Sequence, residues 1–251
     1  MNYGFMVLAI LLLVILWVVY RTLMAPTSVV SSQTYLQSKP KPVDLSTLTN
    51  SNSMNYYYSL WIYVNNLNSP PASPGNAGEA TVPGMIGKLS NNIFYIADSG
   101  NVKTYLTLDV RSDTSLIVEM PISTNKTTTN TLGLTPYQIT PNFSLQRWEH
   151  VIISVNQSYI DFYLDGKLIK SVNAGVNPTL PPANADSPAK INFGNGDVYI
   201  AGFQRIANSM DPQTAWNLYL AGSGTTKSLI NYGLKLELSK NNTPASTITL
   251  F

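Results

Sequence analysis

The sequence predicts an all-β fold, an antiparallel β-sandwich behind a single N-terminal transmembrane helix, on three observations. Residues 5–20 (FMVLAILLLVILWVVY) are an unbroken apolar run, and a helix needs about 20 mostly apolar residues to cross a bilayer's hydrocarbon core. From Tyr56 onward apolar residues recur with a period of two, the spacing of a strand. Clusters of Gly, Asn, Asp, Ser and Pro separate these runs, with no regular alternation of strands and helices. The organisation expected is a transmembrane helix over residues 1–25, an extended Pro/Ser/Thr-rich tether over 26–54 and the sandwich over 55–251.

In the first element Phe5, Leu8, Leu12, Leu16, Trp17 and Tyr20 are the expected membrane anchor. The run is apolar on every face, which suits lipid better than a one-sided core. Trp17 and Tyr20 at one end and Tyr3 at the other fit interfacial belts, and Arg21 marks the boundary. A cleaved signal peptide fits less well. Met1-Asn2-Tyr3-Gly4 carries no Lys or Arg, and Leu23-Met24-Ala25-Pro26 is a poor cleavage site. Arg21, Lys39 and Lys41 follow the run, so the positive-inside rule places the folded part on the cytosolic side. Sequons at Asn125, Asn142, Asn156 and Asn241 point the other way, but a chain this rich in Asn and Thr produces several by chance. In the tether, Lys39-Pro40-Lys41-Pro42 reads as a stiff extended segment.

The sandwich strands follow in order. Tyr56, Tyr58, Leu60, Ile62 and Val64 share one face of a strand, and Tyr57, Ser59, Trp61 and Tyr63 share the other. Both faces are largely apolar, which predicts a central strand. Residues 65–82 read as a long loop, followed by short strands at 86–89, 93–97, 103–110 and 115–120. Residues 123–143 read as a second polar loop. Val151, Ile153 and Val155 alternate along one strand, and Ile160, Phe162 and Leu164 along the next. Asp165-Gly166 is a two-residue hairpin signal, and residues 167–172 return. Strands at 190–193 and 198–206 precede one helix at 211–220, with Asp211 as N-cap and Pro212 at its first position. Residues 229–238 and 246–250 are expected closing strands.

Composition excludes several chemistries. Charged residues make up 11% of the chain and the net charge is +2, so no basic footprint for nucleic acid exists. With no cysteine there is no disulfide framework, thiol nucleophile or Cys-ligated metal, which leans towards a reducing compartment.

The stretch Trp148-Glu149-His150-Val151-Ile152-Ile153-Ser154-Val155, followed by Tyr159–Ile169 with Asp165-Gly166-Lys167, resembles the laminin-G-like, concanavalin A-like jelly rolls. Tyr199-Ile200-Ala201-Gly202-Phe203 and Met210-Asp211-Pro212 look like their final core strand and the turn after it. Tyr57–Tyr63, with Trp61, looks like an early strand. The resemblance implies an antiparallel jelly-roll sandwich over roughly residues 55–222 and says little of function, since that fold hosts lectins, glycosidases and structural parts. The order of anchor, tether and cysteine-free jelly roll also resembles membrane-anchored minor capsid proteins of large double-stranded DNA viruses. That likeness implies lipid bilayer and other capsid proteins as partners, and a domain facing the capsid.

No catalytic constellation accompanies the fold. Concanavalin A-like glycosidases need two facing carboxylates, and no E-x-D-x-x-E strand is present. His150 is the only histidine and reads as part of the sandwich. Asp98, Asp109, Asp113 and Asp197 are the calcium donors on offer, with no spacing that focuses them. Gly194-Asn195-Gly196 reads as a turn. Tyr57, Trp61 and Tyr63 are the candidate ligand or partner surface, for a glycan or a protein. The expectation is a non-enzymatic, membrane-anchored structural protein without cofactor, with a tethered carbohydrate-binding or adhesion module as the alternative.

Overall fold

A strand with buried side chains on both faces needs cover on both, and the fold provides it. The computed structural model describes residues 11–17, 28–30, 32–67, 92–122, 133–183, 187–223, 235–240 and 243–249. Its strands are β1 (Ser28–Val30), β2 (Thr34–Tyr35), β3 (Val43–Asp44), β4 (Asn55–Asn66), β5 (Asn92–Ala97), β6 (Thr104–Val110), β7 (Leu116–Met120) and β8 (Thr135–Thr140). They continue with β9 (Trp148–Asn156), β10 (Tyr159–Leu164), β11 (Lys167–Asn173), β12 (Lys190–Phe193), β13 (Asp197–Ile206), β14 (Lys235–Lys240) and β15 (Thr243–Thr249). One sheet runs β1-β13-β4-β9-β10-β11, with β2 also on β13, and the other runs β3-β12-β5-β6-β7-β8. β14 and β15 form a separate antiparallel pair.

The two large sheets are antiparallel throughout and pack face to face as a sandwich. Tyr58, Leu60, Ile62 and Val64 of β4 and Val151, Ile153 and Val155 of β9 meet Phe94, Leu108, Val118 and Ile191 of the second sheet in one core. Phe94 bridges the layers, with ring centroids 4.9 Å from Phe203 and 5.8 Å from Tyr58. Each such side chain, once buried, contributes about 1.5–3 kcal/mol relative to exposure. Gly194 follows β12 where only a hydrogen fits, because a Cβ there would collide with the Asn92 carbonyl.

The segment expected as a free tether is built into both sheets. β1 and β2 lie on β13, and β3 lies on β12. Between them, Leu36 and Leu45 sit on short 3-10 turns and are fully buried. Ser and Thr are the commonest residues of this segment, yet one well-placed leucine per turn is enough to dock it. A second correction concerns residues 123–143. β8 is a strand at the sheet edge, the position at which a strand tolerates a proline such as Pro136.

The transmembrane helix expected over 1–25 is not found among the described residues. None of their helices is long and apolar enough to cross a membrane. Residues 11–17 are helical, and each of their side chains is 53–65% exposed. Leu12, Leu16 and Trp17 belong to that piece, whereas Phe5, Leu8 and Tyr20 lie outside the described residues, as does the strand expected at 86–89.

Candidate functional site

The face of the seven-stranded sheet turned away from the core holds an aromatic cluster. Alternation puts Tyr57, Ser59, Trp61 and Tyr63 of β4 on it, beside Trp148, His150, Ile152 and Ser154 of β9. The helix Pro212–Leu220 lies across much of this face. It begins where sequence places it: Asp211 accepts the Thr214 N–H at 2.9 Å, and Pro212 needs no donor at that position. Tyr57, Ile152, Tyr163, Met210 and Ala215 close into a second small core beneath it. Met210 N–H donates to Ser154 Oγ at 2.9 Å, fixing the approach to the helix.

This helix changes the expected surface. Tyr57 and Trp61 are 6% and 8% exposed, so both are packing residues. Burial, with the Asp211 carboxylate, pushes the Tyr57 phenol up to about 12. Trp61 packs on both His150 and Tyr219, with centroids 4.9 and 5.7 Å away, and those two rings are 6.5 Å from each other. Of the three residues expected at a ligand or partner surface, Tyr63 alone stays half-exposed.

Tyr63 belongs to a row that the sequence does not reveal. Tyr35 of β2 stands opposite Tyr199 of β13, Tyr199 opposite Tyr63, and Tyr63 opposite Trp148 of β9. Successive ring centroids are 4.6, 6.2 and 5.6 Å apart. All four side chains are half-buried. At one end the Tyr35 hydroxyl donates to Asp197 Oδ1 at 3.0 Å, and Asn65 Nδ2 donates to Oδ2 at 2.9 Å. Burial and the Asp197 carboxylate hold the Tyr35 phenol above its ordinary value. Beyond the other end Arg147 pairs with Glu149 and Asp165, each at 2.9 Å. The signal that could have found the row is the strand register, which pairs residues far apart in sequence.

His150 is held for structure. Its Nε2 lies 2.8 Å from Ser59 Oγ, and burial drives its pKa down to about 4. Asp165 accepts the backbone N–H of His150 at 2.9 Å. The ring Nδ1 has no hydrogen-bond partner, so no carboxylate orients it as a triad requires. Ser59 is 1% exposed, which denies a substrate access to its hydroxyl.

The four candidate calcium donors are engaged separately. Asp98 caps a turn through the Val102 N–H, and Asp113 accepts from the Ser115 N–H and hydroxyl. Asp109 accepts from Asn92 at 2.9 Å, and its burial pushes its pKa up to about 6. Asp197 closes the aromatic row. Among the described residues no three His, Cys, Asp or Glu side chains group as a metal site.

No family model and no curated protein matches the chain. Solved structures with a similar shape include the binding domain of botulinum neurotoxin DC in complex with rat synaptotagmin II. It is 15% identical, with a TM-score of 0.40 over 68% of this chain and 37% of that one. The receptor-binding domain of botulinum neurotoxin D is 12% identical, with a TM-score of 0.43 over 66% and 37%. A heptameric SAP-like pentraxin from Limulus polyphemus is 11% identical, with a TM-score of 0.43 over 66% and 70%. The chain thus spans 37% of each of these two toxin domains.

Proposed function

We propose that the chain is a non-enzymatic, membrane-anchored structural protein whose concanavalin A-like jelly roll binds protein partners. Its organisation is that of a virion minor capsid protein linking an internal membrane to the shell. In this reading the apolar run around Leu12 and Leu16 sits in the bilayer, and the sandwich faces the cytosolic, capsid side. The observation that carries the reading is the short reach from that run to the sandwich. Only residues 18–27 separate the helical piece from β1, so the two are at most about 40 Å apart. Because β1, β2 and β3 stitch the following segment into both sheets, the sandwich stands within that reach of the run. That is what a spacer between two layers requires.

The test is extraction. The full chain, expressed with membranes, is washed in alkaline carbonate beside a variant carrying Leu12→Lys and Leu13→Lys. The parent remains in the pellet and the variant moves to the supernatant. A variant that still resists the wash contradicts the anchor, because two lysines near the centre of a membrane helix are strongly opposed.

A further inference from the structure

We infer that the row Tyr35–Tyr199–Tyr63–Trp148 is a docking site for an extended, proline-rich segment of a partner protein, flanked by a basic residue. This names the partner chemistry of the sandwich and rests on the reading above only in taking the partner to be a protein. The helix Pro212–Leu220 packs against Tyr57, Trp61 and Tyr163 but makes no ring contact with Tyr35, Tyr199, Tyr63 or Trp148 among the described residues. The row crosses four neighbouring strands, a length of about 14 Å at the usual strand spacing. A polyproline II segment rises about 3.1 Å per residue, so four or five residues span it.

The ring geometry favours proline over a sugar. Tyr35 and Tyr199 stack on each other at 25°, which occupies their facing surfaces. Tyr63 stands at 75° to Tyr199 and 53° to Trp148. The row is therefore ridged, and ridges between tilted rings seat pyrrolidine rings, whereas a pyranose needs a flat open face. A polyproline segment leaves its carbonyls without internal partners, and the Tyr199 hydroxyl and the Trp148 indole N–H are donors for them. Both Asp197 oxygens already accept from protein groups, leaving less for sugar hydroxyls. The Asp197 carboxylate at the row's end has no ion pair among the described residues. A Lys or Arg flanking the prolines complements it.

The test is a titration of the full chain in detergent micelles with a labelled peptide of core Lys-Pro-Pro-Leu-Pro, read by fluorescence anisotropy. The parent binds it, and a peptide with alanines for the prolines does not bind. Trp148→Ala and Tyr63→Ala each weaken binding about tenfold. Tyr63→Phe retains it, and Asp197→Asn lowers its salt dependence. If an alanine variant fails to fold, Tyr63→Phe and Asp197→Asn still decide the matter. Leu220→Ala, on the exposed helix surface, leaves binding unchanged. The proposal falls if the two peptides bind alike, if Trp148→Ala binds as the parent does, or if the row binds neutral oligosaccharides and no peptide. It also falls if concentration-dependent self-association covers the row. Because micelles replace the bilayer, a negative result here leaves the carbonate test of anchoring intact.

Discussion

Gly166 lies directly beneath Tyr219: a Cβ added to the glycine would sit 2.9 Å from the Tyr219 Cβ and 3.1 Å from the Trp216 Cα. The turn Asp165-Gly166 carries φ of 47° and 74°, as a two-residue hairpin with a matched twist requires. One glycine thus serves the hairpin and the seat of the helix together. Gly166→Ala is expected to cost at least about 1–2 kcal/mol, because positive φ and the close approach both oppose it. Urea unfolding measures the loss, and Trp216 fluorescence reports displacement of the helix.

Leu36 and Leu45 are fully buried although they lie outside any long strand. If residues 28–54 belong to the sandwich, Leu36→Ala and Leu45→Ala each cost about 2–5 kcal/mol. A free tether would tolerate both without change. Hydrogen exchange gives an independent check, since the pairing of β2 and β3 protects amides that a tether leaves open.

Two buried groups set opposing pH dependences. His150 is held at about 4 against an ordinary 6.5. As pH falls from 6.5 towards 4 the unfolded chain takes up a proton that the folded chain refuses, and about 3 kcal/mol of stability is lost. Asp109 is pushed from 3.8 up to about 6. As pH rises from 3.8 through 6 the unfolded chain releases a proton that the folded chain keeps, and about 3 kcal/mol is lost in that direction. The parent therefore shows a flat response between pH 4 and 6.5 from these two groups. Asp109→Asn leaves the histidine arm, so it loses about 2 kcal/mol relative to the parent between pH 7 and 4.5. His150→Gln leaves the aspartate arm and gains about 2 kcal/mol over the same fall. Urea midpoints of the three proteins at the two pH values give the comparison.

How legible these features were depended on whether their cause was local. The two apolar faces of β4, the Asp165-Gly166 turn and the Asp211-Pro212 helix start are each written in a few adjacent residues, and the structure has all three. β1, β2, β3 and β8 escaped because their strand character comes from the neighbour they lie on, and their own composition is that of a loop. Tyr57 and Trp61 read as surface because nothing in β4 says which face the helix Pro212–Leu220 covers. Tyr35 and Tyr199 became site residues only through register, since Tyr35 lies 28 positions before Tyr63 and Tyr199 lies 136 after it.

Absence of cysteine makes the height of the sandwich above a bilayer directly measurable. Ser32→Cys places one thiol at an exposed position beside β1. Labelled there with a donor dye and reconstituted into liposomes with acceptor headgroups, the full chain reports its distance from the membrane by energy transfer. The account predicts a donor within about 50 Å of the headgroup plane, the limit set by the residues between Trp17 and Ser32. The same label on a chain with Leu12→Lys and Leu13→Lys gives no transfer. Absence of transfer from the parent in liposomes that retain it, or equal transfer from both proteins, would contradict a sandwich held at the membrane by its N-terminal segment.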